Sequence, residues 1–217
     1  MGKTTGDSPE EARAARGSAW RLWAGLACGL GLALLADGPV MAALQPVAGS
    51  TFAHALRHTV RWLGTGYVQV LALLLVVALG LALRSPLVQA GGWSLLAFGV
   101  AGAGANLLKV IVHRPRPWVT AAPPEAWLAY LRLHNFQSFP SGESTTSFAV
   151  AASLSAWLPA WRWALFAAAV VVAGARVVVG AHYLSDVWAG AMLGIAAGRW
   201  AAGLGGARRR RGSAPAR

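Results

Sequence analysis

Charge is scarce in this chain, and acidic charge scarcest: 12% of its 217 residues are charged, and only seven are Asp or Glu. Soluble domains carry roughly a quarter charged residues, so an ordinary water-soluble domain is excluded. Cysteine is nearly missing too. Cys28 stands alone in an apolar run, which rules out an intramolecular disulfide and a thiolate metal site. Internal repeats are not evident, which argues against a transporter built from matching halves. What the chain has instead is apolar residues: 56% are hydrophobic and the mean hydropathy is +0.51. They fall in blocks long enough to cross a bilayer, which takes about 20 residues. The chain reads as one all-α, polytopic membrane domain. Its net charge of +12 would suit a nucleic acid, but the arginines lie in tails, short loops and three short motifs. That is a membrane pattern rather than a groove-binding surface, and no nucleic-acid partner is expected.

Six spans are expected. Residues 1–18 read as a disordered cytoplasmic tail, residues 19–204 as the membrane domain and residues 205–217 as a basic cytoplasmic tail. Trp20 to Leu35 is the first span, stopped by Asp37-Gly38-Pro39. Its basic leader and the Val40-Met41-Ala42 that follows give it the outline of a cleaved signal peptide. Ser50 to Leu63 forms an amphipathic helix, with Phe52, Leu56, Val60 and Leu63 on one side and His54, Arg57, His58 and Arg61 toward the other. Such a helix rests on a membrane surface, where its cations gather anionic head groups, or is a passive connector. Tyr67 to Leu83 and Trp93 to Val112 are the second and third spans. The loop from His113 to Ser141 is long for a connector, and its aromatic stretch Glu125 to Phe136 suggests an interfacial helix at the mouth of a site. Ser144 to Leu158, Ala164 to Gly180 and His182 to Gly203 complete the set.

Basic residues set the orientation. The amino-terminal tail, the Arg84 and Arg162 turns and the run Arg208 to Arg211 share one side of this topology. The positive-inside rule makes that side cytoplasmic. The protein is then expected in the inner (plasma) membrane with both termini cytoplasmic. The remaining unusual charges cluster on the opposite, periplasmic face.

Those charges form three stretches. In Arg176-Val177-Val178-Val179-Gly180-Ala181-His182-Tyr183-Leu184-Ser185-Asp186, an Arg, a His and an Asp sit in apolar surroundings, where unpaired charge costs several kcal/mol. If the chain is helical from Ala181, His182 and Asp186 share a face one turn apart. The carboxylate can then fix the imidazole tautomer and leave the other nitrogen as nucleophile or base. A structural ion-pair network tying two helices would use the same residues. In the second stretch, Lys109 and Arg116 lie two turns apart until Pro115 and Pro117 break the helix. Lys as a point charge and Arg as a two-pronged donor together suit phosphate, although snorkelling alone accounts for Lys109. In the third, Phe139-Pro140-Ser141-Gly142-Glu143-Ser144 opens a span. Ser141 suits an N-cap, Gly142 admits a ligand to the backbone, and the first-turn N–H groups form an anion site.

Together these stretches resemble the signatures of the type-2 phosphatidic acid phosphatase superfamily, whose members include undecaprenyl diphosphatases and lipid A phosphatases. Lys109, Arg116 and Pro117 match its first motif, and Pro140, Ser141 and Gly142 match three of four positions in its second. Arg176, His182 and Asp186 match its third, with Ala175 in place of Ser. The resemblance implies that His182 is a nucleophile forming a phosphohistidine and that Asp186 orients it. It also implies that Lys109, Arg116, Arg176, Ser141 and the Gly142 backbone hold phosphate oxygens. No metal and no other cofactor are implied, because fixed cations offset the phosphate charge. The expected partners are a lipid phosphate substrate and the surrounding membrane lipids.

Glu143 is the departure. The family has His there, mainly to protonate the leaving oxygen. A carboxylic acid can do the same if it is protonated at the working pH; alternatively Glu143 caps the cations and silences the site. The implied activity is hydrolysis of a lipid phosphomonoester or diphosphate. Phosphatidic acid, phosphatidylglycerol phosphate, polyprenyl diphosphate and the 1-phosphate of lipid A are the candidates. A phosphotransferase and a non-catalytic binder of anionic lipids are the alternatives.

Overall fold

The computed structural model describes residues 9–120, 122 and 133–212. Among them every regular element is helical: α1 Pro9–Ala48, α2 Thr51–Gly64, α3 Gly66–Ala82, α4 Leu87–Val112, α5 Gly142–Trp157, α6 Arg162–Val178 and α7 Leu184–Gly212. Single 3-10 turns occupy His134–Phe136 and Pro159–Trp161. Three segments are long and apolar enough to span a bilayer, Trp23–Ala48, Leu87–Val112 and Pro159–Val178; α2 and α3, bent by 44°, make a fourth if taken as one. Six spans are therefore not marked by length and composition alone. Helix α3 has 17 residues and α5 has 16, each short of a full span of about 20. Nearly every residue of α5 from Ser144 to Leu154 is buried, so its hydroxyls meet protein rather than lipid, and only lipid-facing surface has to be apolar.

Three helices differ from the sequence reading. α1 does not stop at Asp37-Gly38-Pro39; it continues through Pro39 and Pro46 to Ala48. It also begins at Pro9, inside the stretch read as a tail, while residues 1–8 and 213–217 lie outside the described residues. α2 turns Ala53, Leu56 and Val60 against Val172, Ala175, Val179 and Ala181 near the end of α6. Phe52 and Leu63, read on the same apolar side as Leu56 and Val60, do not pack against α6 and are exposed. The small Ala53, wholly buried, lets α2 approach α6 closely and rotates the apolar row by one position. The expected interfacial helix Glu125 to Phe136 lies outside the described residues except for its last turn, His134–Phe136.

The core is made by small side chains. Ala97 and Ala101 of α4, Ala149 of α5, and Ala197 and Ala201 of α7 form one cluster. Polar bonds join helices as well: Ser94 Oγ to Ser153 Oγ at 3.0 Å, and Gln69 Nε2 to Ser147 Oγ at 2.8 Å. Such contacts suit a bundle in lipid, where association relies on close packing and interhelical hydrogen bonds. The closest approach is α5 against α7. A Cβ at Gly194 would lie 2.2 Å from the Thr145 carbonyl oxygen, a distance no side chain tolerates. Gly194→Ala should therefore force the helices apart and destabilise by about 1–3 kcal/mol, the usual range for overpacking. A melting temperature in detergent equal to that of the unmodified protein would show that this contact is slack.

Candidate active site

The carboxyl ends of α4 and α6 and the amino ends of α5 and α7 meet at one end of the bundle. α4 stops at Val112 because His113 takes a left-handed conformation, φ 51°, as its C-cap. The break precedes Pro115, so Lys109 and Arg116 do not lie on one continuous helix as expected. Arg116 reaches back from an extended segment. Its Nε donates to the His134 carbonyl at 3.0 Å and its Nη1 to the Ala181 carbonyl at 3.3 Å. Backbone bonds from Arg116 N to Asn135 O, 2.8 Å, and from Ser138 N to Arg114 O, 3.0 Å, tie the two limbs of the long loop together. Burial, then the nearby Arg176 cation, hold the Arg116 guanidinium below its ordinary pKa, so an anion placed beside it is favoured.

α6 ends at Val178, and Gly180, with φ 68°, makes the left-handed turn that follows. The Ala181 and His182 N–H groups both donate to the Arg176 carbonyl, at 2.9 and 3.1 Å. This turn locks the Arg and the His of one motif to each other. α7 begins only at Leu184, so His182 and Asp186 are not on one helical face. Asp186 Oδ2 instead accepts from the Tyr183 N–H at 2.9 Å, as an acidic residue in a helix's first turn does.

The partner of His182 also differs. Its Nδ1 lies 2.9 Å from the Ser138 backbone carbonyl and 3.6 Å from Asp186 Oδ2. A carbonyl only accepts, so Nδ1 carries the proton and Nε2 keeps its lone pair. Ser138 thus sets the tautomer that the sequence reading assigned to Asp186. The Ser138 hydroxyl in turn donates to Asp186 Oδ2 at 2.5 Å. Both His182 and Ser138 are buried.

Behind them lies a network that the sequence reading missed. Arg114 Nη1 donates to Asp186 Oδ1 and to Ser185 Oγ, both at 2.6 Å, and Nη2 donates to Asp37 Oδ2 at 2.7 Å. The Ser185 N–H donates to Asp37 Oδ1 at 2.9 Å, and its hydroxyl donates to the same carboxylate. The guanidinium stacks 4.1 Å over the Tyr183 ring. Burial works against the Arg114 charge, but the hydrogen bond to Asp37 and the two carboxylates outweigh it, and its pKa is raised. Asp37 read as a helix stop. An acid inside an apolar run was the available signal, since such a residue calls for a partner.

α5 supplies the third part. Ser141 Oγ caps the helix, accepting from the Ser144 N–H, and the Ser141 N–H donates to the Asp186 carbonyl at 2.9 Å. Ser141 is wholly buried. Gly142 faces the Lys109 ammonium so closely that a Cβ there would lie 3.3 Å from Nζ. Glu143 forms an ion pair with Arg176. All eight residues singled out in the sequence are therefore brought to one end of the bundle.

A cavity of about 940 Å³ opens there, walled by Arg116, Glu143, Arg176, Gly180 and Ala181 and by Met41, Leu44 and Ala48 of α1. Arg57 of α2 also lines it, and was read as part of a lipid-facing surface. Among the described residues no three of His, Cys, Asp and Glu are grouped as metal ligands. The arrangement offers cations for an anion, a neutral imidazole with a defined lone pair, and a carboxyl group beside them.

A sequence model of the PAP2 superfamily matches residues 90–210. Two curated relatives are each named lipid A 1-phosphatase. That of Rhizobium johnstonii is 40% identical over 107 residues, 46% of this chain and 40% of the relative. That of Rhizobium etli is 40% identical over 101 residues, 43% of this chain and 41% of the relative. The matched region is thus less than half of either relative. Among solved structures, the PAP2-type phosphatidylglycerolphosphate phosphatase of Bacillus subtilis aligns with a TM-score of 0.66 and 20% identity, covering 92% of this chain and 98% of that one. LpxE of Aquifex aeolicus aligns with a TM-score of 0.57 and 22% identity, covering 76% and 93%. At these identities the structures bear on the fold alone.

Proposed function

The chain belongs to the PAP2 superfamily, and from that membership we propose that it is a membrane-embedded lipid phosphatase working through a phosphohistidine. The observation that carries the reading is the His182 imidazole, with Nδ1–H held by the Ser138 carbonyl at 2.9 Å, in the residue that follows Ala181, which lines a cavity together with Arg116 and Arg176. In this reading the Nε2 lone pair attacks phosphorus and the phosphorus–oxygen bond to the lipid breaks. The leaving oxygen takes a proton. Water then attacks phosphorus, losing a proton as the new phosphorus–oxygen bond forms, and the phosphorus–nitrogen bond breaks, releasing inorganic phosphate and regenerating His182. Lys109, Arg116, Arg176 and the first-turn N–H groups after Ser141, Gly142 included, hold the phosphate oxygens. Preorganised donors of this kind act without metal. Asp186 balances the imidazolium that develops.

Topology follows the same reading. α1, α3, α4, α5, α6 and α7 serve as six alternating spans, and α2 as the connector on the site's side. The Arg84 and Arg162 turns then lie at the opposite, cytoplasmic end, and the site opens to the periplasmic leaflet of the inner membrane. The two relatives named lipid A 1-phosphatase support testing a glycosyl 1-phosphate first among the four lipid classes. The test is phosphate release in detergent with EDTA across those classes. Release would establish the phosphatase; phosphate appearing on a second lipid would make it a phosphotransferase. No turnover at all would leave a lipid binder silenced by Glu143.

Glu143 acts in two stages. In the resting site it pairs with Arg176. A phosphate dianion competes for that guanidinium, and the displaced carboxyl group then stands beside the leaving oxygen as its proton donor. Glu143→Gln should lower kcat by about 10²–10⁴-fold for an alkoxide leaving group and far less for a phosphate leaving group, with the pH–rate profile changed. Identical pH profiles in the two proteins would rule out the general acid.

A further inference from the structure

We propose that Arg57 forms a second anion subsite, so that the preferred head group carries two anionic groups, one at His182 and one at Arg57. The inference rests on the phosphatase reading for the first group and on separate geometry for the second. Arg57 Nη2 donates to the Val179 carbonyl at 3.3 Å, and Arg116 Nη1 donates to the Ala181 carbonyl at 3.3 Å. Both guanidinium groups are thus anchored to one short connector that ends at His182. Residues two apart in a chain are separated by at most about 7 Å, so the two anchors stand within the reach of one head group.

The support under Arg57 is rigid. Ala53, one turn earlier on α2, is wholly buried in a cluster with Val179 and Ala181, the same connector. Arg57 and Arg116 each line the cavity, and neither has an ion-pair partner among the described residues. Arg176, in contrast, is matched by Glu143. A guanidinium has five N–H donors, so the carbonyl contact leaves Arg57 able to hold an anion. The cavity, about 940 Å³, is far larger than one phosphate needs, since a water's share of liquid volume is only about 30 Å³. The shared chemistry is a second phosphate, either directly joined as a diphosphate or carried on a neighbouring sugar of a glycolipid.

The experiment compares the unmodified protein with Arg57→Ala and Arg57→Lys. Substrates are phosphatidic acid, a polyprenyl diphosphate, and a glycolipid bisphosphate beside its monophosphate. Arg57→Ala should raise KM at least tenfold for the two-phosphate lipid that is recognised and less than twofold for the monophosphates, with kcat little changed. Arg57→Lys should recover part of the loss. The lipid whose KM shifts identifies whether the second phosphate is joined or separate. A second readout needs no turnover: thermal stabilisation by inorganic pyrophosphate against that by inorganic phosphate. Arg57→Ala should abolish the pyrophosphate advantage. If no lipid is hydrolysed but that advantage depends on Arg57, the phosphatase reading fails and the subsite stands. Equal effects on one- and two-phosphate ligands, or none on either, would reduce Arg57 to a cap on the end of α6 and overturn the proposal.

Discussion

Substituting His182 should bring phosphate release from every lipid to background, a loss on the order of 10⁴-fold or more, as removal of a nucleophile does elsewhere. His182→Ala and His182→Asn answer different objections. The imidazole is buried and bonded to the Ser138 carbonyl, so alanine removes both the nucleophile and a structural contact. Asparagine keeps an amide N–H donor near that carbonyl, while its nitrogen lone pair is delocalised into the amide and is not nucleophilic. Both variants should be inactive, and the asparagine protein should melt close to the unmodified one. Rapid quenching with labelled substrate should give an acid-labile phosphoryl label on the unmodified protein and none on either variant. Turnover by folded His182→Asn within tenfold of the unmodified rate would place the nucleophile elsewhere.

The second large effect should come from Arg114, whose guanidinium bonds to Asp186 and Asp37 rather than to His182. It lies between two carboxylates: the Asp186 side chain is fully buried, that of Asp37 8% exposed and that of Arg114 22% exposed. Removing one partner of a buried ion pair typically costs about 3–5 kcal/mol, because the charge left behind is uncompensated. Arg114→Met should therefore lower thermal stability markedly. It should also reduce kcat more than it raises KM, since it acts by holding Asp186 under His182. Asp37→Asn alone should be milder. In the double variant the second substitution removes one of the stranded charges, so its loss of stability should be smaller than the two single losses summed. Strict additivity, or an Arg114→Met protein with unchanged melting and kcat, would show that the network is incidental.

The chemistry was more legible in the sequence than the geometry. Lys109, Arg116, Ser141, Glu143, Arg176, His182 and Asp186 are polar residues at or near helix ends in an apolar chain, with Gly142 among them. Polar residues in such surroundings stand out because lipid penalises them. Asp37 was visible by the same rule but lay beside Gly38 and Pro39, whose local signal for a helix end masked it. Pro39 does not break α1; local propensity yielded to tertiary pairing. Ser138 could not be found, because it meets His182 through a backbone carbonyl, which every residue has, and its hydroxyl bond to Asp186 joins residues 48 apart in the chain. Arg57 was seen, but its direction depended on which face of α2 meets α6, and the one-position shift to Ala53 decided that. The six-span expectation rested on apolar length, which marks three helices, or four with α2 and α3 joined; α5, 16 residues long and mostly buried, is not marked by that guide.

The join between Asp37 and the head of α7 has a consequence for how the protein is made. Helix ends far apart in the chain meet here: Asp37 with Ser185, and Leu26 O with Trp188 Nε1 at 2.9 Å. During synthesis α1 emerges early, bringing into the bilayer an acid that costs about 2.5–3.5 kcal/mol at its centre when unpartnered. Arg114 arrives after three further helices and α7 last of all. The candidate site is therefore a product of completed insertion, and a ribosome stalled before Ser185 holds a chain in which neither Asp37 nor Arg114 has yet met the head of α7.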